Sequence, residues 1–564
     1  MKKKVVTTLT LLLATVSLFG CSSENNIQSL KDWEFQDSII EDKFRNFYEI
    51  YVRSFYDADG NGYGDIRGVG KKMKYIHDLG YDGIWLMPIH PSISYHKYDV
   101  DDYYKIDKEY IVYNETDDFN YMIEEANKYD ISVVMDLVIN HSSARHAWFK
   151  EAVKGLNSSV CVSPTSDGRP SESCLKAYPT IGYYNFYYEN KVPRDNTYRK
   201  INSSSSWYYE SGFSENMPDL NLDNESLRAE IVQIMKYWMD KGVKGFRLDA
   251  AYHFYNKNSA KNIAFLKWLN QEAKKVAPKG VNPYFVAEVW SGKEEQNYYA
   301  SGMDSFFNFS FSGGSGVTMS SVTKENAKQF VTSVVSYEKE VKKIYSDAVI
   351  ANFLGNHDMQ RSANAATRIE DHGDGTVSRY ISPDYIKMSL ALNQMISGSS
   401  WTYYGEEIGM LGASSGGDPS YRTAMLWSDD QNELCLNPSG AQVREQDYGN
   451  DYTPGNVEEQ LNNPQSILNF LKIATRLRYR YKEIARGEQD AIILDDDACA
   501  ILTKKYEGKT TYLVINLSPE MKTISLDETL KATKIQDTLA TNYQNAKRTK
   551  DSLNLQPFSI TILK

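Results

Sequence analysis

The sequence predicts an α/β fold: a (β/α)8 TIM barrel, with a domain inserted after the third strand and an antiparallel β domain at the C-terminal end. Three observations predict it. From about residue 45, short β-rich runs alternate with runs of helical period, the pattern of βα units around a parallel sheet. The alternation breaks over residues 144–215, which are rich in Tyr, Ser, Asn and Gly and have no clear period. A stretch that long reads as an inserted domain rather than a loop. After about residue 485 the pattern changes to short strands with Gly and Pro between them, as over 510–517 and 558–563.

In order, the expected barrel strands are residues 47–55, 82–89, 131–140, 243–250, 285–289, 305–311, 348–354 and 400–404. A helix is expected to start at Thr116-Asp117-Asp118, with acids in its first turn and Phe119, Met122, Ile123 and Ala126 as its buried stripe. After the insertion, Asn224 is a good N-cap, and Leu227, Ile231, Ile234, Met235 and Trp238 form the next stripe before Gly242 ends that helix. The resulting division is barrel over 45–143 and 216–482, insertion over 144–215, and β domain over 483–564. Active sites of such barrels sit at the C-terminal ends of the strands.

Composition narrows the function. The 564 residues carry 63 Lys and Arg against 74 Asp and Glu, a net charge of −11, so there is no basic footprint for nucleic acid. The 42 tyrosines suit either sugar stacking or an aromatic-rich core. Lys2, Lys3 and Lys4 precede an apolar run from Val5 to Phe19, which reads as a secretory signal and is too short to span a membrane. Leu18-Phe19-Gly20-Cys21 resembles a bacterial lipoprotein lipobox. That resemblance implies cleavage after residue 20, lipid on Cys21 and a tether over 21–44. The expected location is therefore the cell envelope or cell surface, with the lipid as the only membrane contact; an ordinary cleaved signal is the alternative. In such an oxidising compartment Cys161 and Cys174, 13 residues apart in a loop-like stretch, are the favoured disulfide.

The chemistry lies at the strand ends. The third strand ends in Asp136-Leu-Val-Ile-Asn140-His141, the fourth in Gly245-Phe-Arg247-Leu-Asp249-Ala250, the fifth in Ala287-Glu288-Val289-Trp290 and the seventh in Asn356-His357-Asp358. Carboxylates from different strands would converge at one mouth, and burying several together is too costly for structural filler. Arg247 and Asp249 are two apart, so they share a strand face.

These four segments resemble, in order, the four signature regions of the α-amylase family of glycoside hydrolases, family 13. The resemblance covers about residues 45–480, and His96-Lys-Tyr98-Asp99, Met217-Pro-Asp-Leu-Asn221 and Tyr404-Gly-Glu-Glu-Ile-Gly409 agree with it. It implies that Asp249 is the nucleophile, Glu288 the general acid and base, and Asp358 the carboxylate that helps distort and stabilise the sugar. His141 and His357 would bind hydroxyls of that sugar, Tyr98 would stack on its ring, Arg247 would keep Asp249 ionised, and Asp136 would brace the site. The implied chemistry is a retaining hydrolysis through a glycosyl-enzyme, which needs a carboxylate to attack and a protonated acid of raised pKa.

A second motif follows the first strand. Asp57, Asp59, Asn61 and Asp65 stand at positions 1, 3, 5 and 9 of a loop with Gly62 at position 6, the spacing of a calcium loop, and Tyr63 would add its carbonyl. Position 12 is Gly68, so this is not an EF-hand; it resembles the calcium loop at this place in oligosaccharide-cleaving members of the family. Calcium is the expected cofactor, with a metal-free turn as the alternative.

The resemblance leans toward an endo-acting α-amylase that cuts α-1,4 bonds of starch-like glucans. Tyr252 stands where the family usually has Lys, and Met217-Pro-Asp-Leu-Asn221 is intermediate between oligo-1,6-glucosidase and neopullulanase forms. An exo-acting α-glucosidase or oligo-1,6-glucosidase, or a neopullulanase, is therefore the alternative. A non-catalytic glycan-binding lipoprotein would need a broken carboxylate trio, and all three acids are present.

Overall fold

The computed structural model describes residues 43–564 other than 195–196, 293, 373–375, 414, 431–433 and 443–451. The expected signal, Cys21 and nearly all of the tether lie outside the described residues.

Eight parallel strands form the barrel: β1 (Asn46–Ile50), β2 (Gly83–Leu86), β3 (Ser132–Leu137), β4 (Gly245–Leu248), β5 (Tyr284–Ala287), β6 (Ser305–Phe306), β7 (Ala351–Phe353) and β8 (Ser399–Tyr403). The sheet runs β7-β8-β1-β2-β3-β4-β5-β6, and a parallel bridge from Phe307 to Ala351 closes β6 on β7. Side chains alternate across each strand. Tyr48, Ile84, Val133, Met135, Phe246 and Leu248 point outward into the main core. Phe47, Trp85, Val134, Tyr284, Val286 and Trp401 fill the interior as a second core. There Phe47 stacks between Trp401 (centroids 4.1 Å) and Tyr284 (5.1 Å), an apolar floor beneath the strand ends.

The outer helices follow from their caps and stripes. Asn114 accepts from the Asp117 N–H at 3.0 Å and starts the helix Glu115–Lys128, whose buried residues include Phe119, Met122, Ile123 and Ala126. Asn224 accepts from the Leu227 N–H at 2.9 Å and starts Glu225–Asp240, which buries Leu227, Ile231, Ile234, Met235 and Trp238.

Seven of the eight strands are shorter than the sequence predicts, and two of them give way to 3-10 turns. Residues 47–55 give only Asn46–Ile50, followed by a 3-10 turn over Val52–Ser54, although Tyr51, Val52 and Phe55 stay buried. Residues 305–311 give only Ser305–Phe306, with a second 3-10 turn over Phe309–Phe311. In both, the aromatic run reports burial, not extended backbone.

Between β3 and β4 the chain forms the helices Ala147–Leu156 and Glu172–Ala177 and a three-stranded antiparallel sheet with Trp207–Glu210 between Phe186–Tyr188 and Tyr198–Lys200. The Cys161–Cys174 disulfide ties this segment; Cys435 and Cys499 are free and buried. Its return to the barrel is pinned by a bridge between His141 and Asp219 and by the Leu220 N–H donating to the Asn140 carbonyl at 2.9 Å. After the barrel come a five-stranded and a three-stranded antiparallel sheet. The Lys504 ammonium donates to Ser397 Oγ at 2.9 Å, and the Gln489 backbone and side-chain N–H groups donate to Glu338, so buried polar bonds join this end to the barrel.

One close approach tests the barrel. A Cβ on Gly245 would lie 2.1 Å from the Tyr284 carbonyl oxygen of the neighbouring strand. Gly245→Ala is expected to destabilise the protein by about 3 kcal/mol or more, read as a shift in the urea midpoint; an unchanged midpoint would show that β4 and β5 are not packed this way.

Candidate active site

Register brings the strand ends to one level. Asp136 on β3 lies opposite Arg247 on β4, and Leu248 lies opposite Ala287, so Asp249 and Glu288 follow at adjacent positions. The Arg247 side chain is wholly buried, with its guanidinium carbon 4.9 Å from the Trp85 ring centroid. Nη1 donates to both Asp136 oxygens at 2.9 Å and to Asp249 Oδ1 at 2.7 Å; Nη2 donates to Glu288 Oε2 at 2.6 Å. A buried cation needs such pairing, and the planar fork allows several partners at once. Ala250 adopts a left-handed backbone (φ 49°), and its N–H donates to Glu288 Oε2 at 3.2 Å.

Burial raises the Glu288 carboxyl to about 7: Arg247 opposes the rise, while the charges of Asp249 and Asp358 add to it. Burial also pushes Asp136 up, against the pull of Arg247. Asp358 goes the other way. Burial would raise it, but His357 and then Arg422 and Arg247 outweigh burial and hold it well below the usual carboxylate range. Its partners are His357 Nε2 at 3.0 Å and Arg422 Nη2 at 2.8 Å. His357 Nδ1 faces Glu49 Oε1 at 2.5 Å. Burial alone would lower the imidazole, yet Asp358 and Glu49 lift it to about 9.

The other expected residues join the same place. Tyr98 stacks on His357 with centroids 5.5 Å apart; its hydroxyl is 2.6 Å from His357 Nε2 and donates to Asp136 at 3.2 Å. His141 is buried and its pKa is lowered by burial, and its Nε2 is buried without a hydrogen-bond partner among the described residues. Asp249, Glu288, Asp358, Tyr98 and His141 line one cavity of about 470 Å³. Arg247 and His357 lie behind it, holding the acids.

Sequence reasoning missed several lining and supporting residues. Arg422, buried, donates through Nε to the His357 carbonyl as well as to Asp358, and its Nη2 also reaches Asp418 at 3.3 Å. Glu49 lies on β1, 308 residues from His357. Phe213, from the inserted segment, is 48% exposed and rests against His141 and His253; Trp290 is 49% exposed and stacks on Phe309 at 4.9 Å. Both rings line the cavity. An exposed large aromatic is the only sequence-independent signal for such residues, and it appears only after folding.

The acidic loop after β1 is separate from this cavity. Carboxylate oxygens of Asp57, Asp59 and Asp65 lie within 4.8 Å of one another. Asp57 accepts from the Asp59, Gly60 and Gly62 N–H groups, Asn61 Oδ1 from Tyr63, and Asp65 from Ala58 and Gly68. Gly60 and Gly62 take left-handed angles that the tight winding requires. Burial, then the charges of Asp59 and Asp57, raise Asp65 to about 6 against its backbone hydrogen bonds. Three hard oxygen donors crowded in this way fit a hard divalent cation. The Tyr63 ring lies 4.5 Å from the Arg53 guanidinium, on the flank of the loop.

A closed parallel barrel with three acids around one guanidinium at its C-terminal mouth defines a hydrolase that works by carboxylate chemistry. Residues 49–487 match the model of the α-amylase catalytic domain. The chain is 31% identical to Alpha-amylase 3 of Dictyoglomus thermophilum over 92% of both chains, and 26% identical to the oligo-1,6-glucosidase of Parageobacillus thermoglucosidasius over 92% of this chain and 97% of that one. Eubacterium rectale Amy13B superposes with a TM-score of 0.81 at 35% identity, covering 93% of this chain and 96% of the other. The chain belongs to the α-amylase family, glycoside hydrolase family 13.

The histidine network makes a testable statement. Glu49→Gln removes one of the two anions that lift His357, so its pKa should fall from about 9 by at least about one unit. Titration of ¹⁵N-labelled histidine by NMR reads it; an unmoved value would mean Glu49 does not set the charge of His357.

Proposed function

We propose that the protein is an endo-acting, retaining α-amylase that cleaves α-1,4-glucosidic bonds in starch, maltodextrins and related oligosaccharides. The observation that carries this reading is the Arg247 fork, which holds Asp249 and Glu288 side by side within the span of one guanidinium. Adjacent carboxyls suit a direct attack, whereas an inverting pair leaves room for a water between them. Asp249 attacks the anomeric carbon while Glu288 gives its proton to the leaving oxygen. Glu288, now ionised, then takes a proton from the water that releases the glycosyl group from Asp249. Asp358, held as an anion, stabilises positive charge developing on the sugar. His141, which lines the cavity, binds a sugar hydroxyl, and Tyr98 packs on the ring. His357, buried behind the wall with both nitrogens engaged, holds Asp358 and Tyr98 rather than touching the sugar as the family resemblance implies. Phe213 and Trp290 at the cavity rim give neighbouring sugars two stacking faces, which supports binding along a chain.

A second reading has its own observation. Met217 and Tyr252 line the cavity beside Phe213, and Tyr252 stands where the family usually has Lys. That replacement favours an exo-acting α-glucosidase or oligo-1,6-glucosidase, or a neopullulanase.

For the acidic loop we propose calcium on Asp57, Asp59, Asn61, the Tyr63 carbonyl and Asp65. Its contribution there is to neutralise the carboxylates and fix the loop. We further propose export with Cys21 lipidated, so that the enzyme works on α-glucans from the cell surface or envelope; radiolabelled palmitate incorporated by the wild type but not by Cys21→Ser would support it, and labelling of both would refute it.

Three outcomes test the function. On amylose, internal cuts releasing maltose and longer oligosaccharides are expected; Asp249→Asn and Glu288→Gln should each lose about a hundredfold or more of kcat. Glucose alone from amylose, or rapid isomaltose cleavage, would overturn the endo reading, and panose from pullulan would add neopullulanase character. Because Glu288 must be protonated to donate and sits at about 7, kcat/KM should fall as pH rises through about 7; a profile flat to pH 9 would contradict this acid. Calcium at about 100 times its Kd should stabilise the wild type by about 2.7 kcal/mol relative to chelator, and Asp57→Asn with Asp65→Asn should lose that gain; equal gains in both would place the ion elsewhere.

A further inference from the structure

Between the two cavity-lining residues His96 and Tyr98 stands Lys97, which plays no part in the chemistry above. It has φ 65°, in the left-handed region where a side chain is unfavourable and glycine is at ease. Its side chain points away from the cavity and is 6% exposed. The ammonium lies 2.8 Å from Asp107 Oδ2 and 3.1 Å from Glu109 Oε2, 5.4 Å from the Tyr110 ring centroid. Asp107 is itself fixed: its N–H donates to the Ile89 carbonyl just beyond β2, and its carboxylate accepts from the Ser92 and Glu109 N–H groups. The lysine thus ties the middle of the loop to the barrel wall.

On the cavity side the loop is knitted by its own side chains. Ser94 Oγ accepts from the Lys97 N–H and faces His96 Nδ1 at 3.0 Å, and both Ser92 and Ser94 donate to Asp99. The reversal at Lys97 therefore decides where two rings sit: His96 against the cavity, and Tyr98 over His357 with its hydroxyl on Asp136.

We propose that Lys97 is a positioning residue for the reacting sugar: its ammonium, held by Asp107 and Glu109, keeps the left-handed turn that aims His96 and Tyr98 into the cavity. A strained backbone persists only where its surroundings over-determine it, and a buried cation held by the buried Asp107 and the half-buried Glu109 does that here. The proposal rests on the hydrolase reading of the cavity, and turnover by the wild type tests that reading separately.

Lys97→Gly separates the two parts of the argument. Glycine accepts the angle without strain but cannot be clamped. With kcat and KM measured on a p-nitrophenyl maltooligosaccharide, and the folded fraction fixed by circular dichroism, Lys97→Gly should lose at least tenfold in kcat per folded molecule and melt lower than the wild type, because Asp107 is left buried and unpaired. Glu109→Gln, which leaves Asp107 on the ammonium, should fall between the two. If Lys97→Gly keeps kcat and KM within twofold per folded molecule, the ammonium serves only the backbone angle and the proposal fails. Should Lys97→Gly not fold, Glu109→Gln decides alone: a reduced kcat at unchanged melting temperature supports the proposal, and an unchanged kcat overturns it.

Discussion

One buried guanidinium organises the molecule. Arg247 is excluded from water, and an unpaired charge there would be prohibitive, so its two terminal nitrogens, Nη1 and Nη2, dictate what surrounds them. Asp136, Asp249 and Glu288 answer them from three adjacent strands. The arrangement depends on strand register: a slip of one residue on β4 would turn Arg247 out of the barrel and Leu248 in. The aromatic floor of Phe47, Tyr284 and Trp401 below completes the constraint, because it denies water to the acids from that side. Desolvation by this packing lifts Glu288 into the range of a proton donor near neutral pH, while the guanidinium keeps the rise moderate.

A second layer extends the same logic outward. Asp358 is kept anionic by His357 and Arg422, and His357 is kept charged by Glu49 and Asp358, so a chain of alternating charge runs from β1 to the loop after β8. Such a network is stable only if every member is paired, which ties the third carboxylate through His357 to Glu49, 308 positions from that histidine. The inserted segment supplies the rim, returning to β3 at His141 and presenting Phe213 beside it. The Lys97 clamp works in the neighbouring loop after β2 by the same means, a buried cation between anions fixing where rings point.

The sequence was informative wherever chemistry was local. Arg247 and Asp249 are two apart on a strand, and that spacing alone puts them on one face; the acidic loop was readable because its oxygens recur at odd positions. The eight strands, the helix starting near Thr116 and the cap at Asn224 were readable from period and cap chemistry, although that helix starts one residue earlier than expected, on a cap at Asn114 that was not foreseen. Strand length was not readable at Val52 or Phe309, since buried 3-10 turns and strands draw on the same apolar residues. Glu49 and Arg422 were invisible as site residues because nothing in their neighbourhoods marks them; only tertiary packing brings them to His357 and Asp358. The hairpin of Thr367–Asp371 with Val377–Ile381 was likewise unforeseen.

The most direct test of the central role of Arg247 is the rate at which a 5-fluoro-α-glucosyl fluoride labels the protein, with the labelled peptide identified by mass spectrometry, in the wild type and in Arg247→Lys. The lysine keeps the charge and loses the fork. The account predicts an adduct on Asp249 in the wild type and labelling slower by about a hundredfold in a folded Arg247→Lys, the cost of breaking a buried ion-pair network. An adduct on Glu288 or another carboxylate, or equal rates in the two proteins, would contradict it.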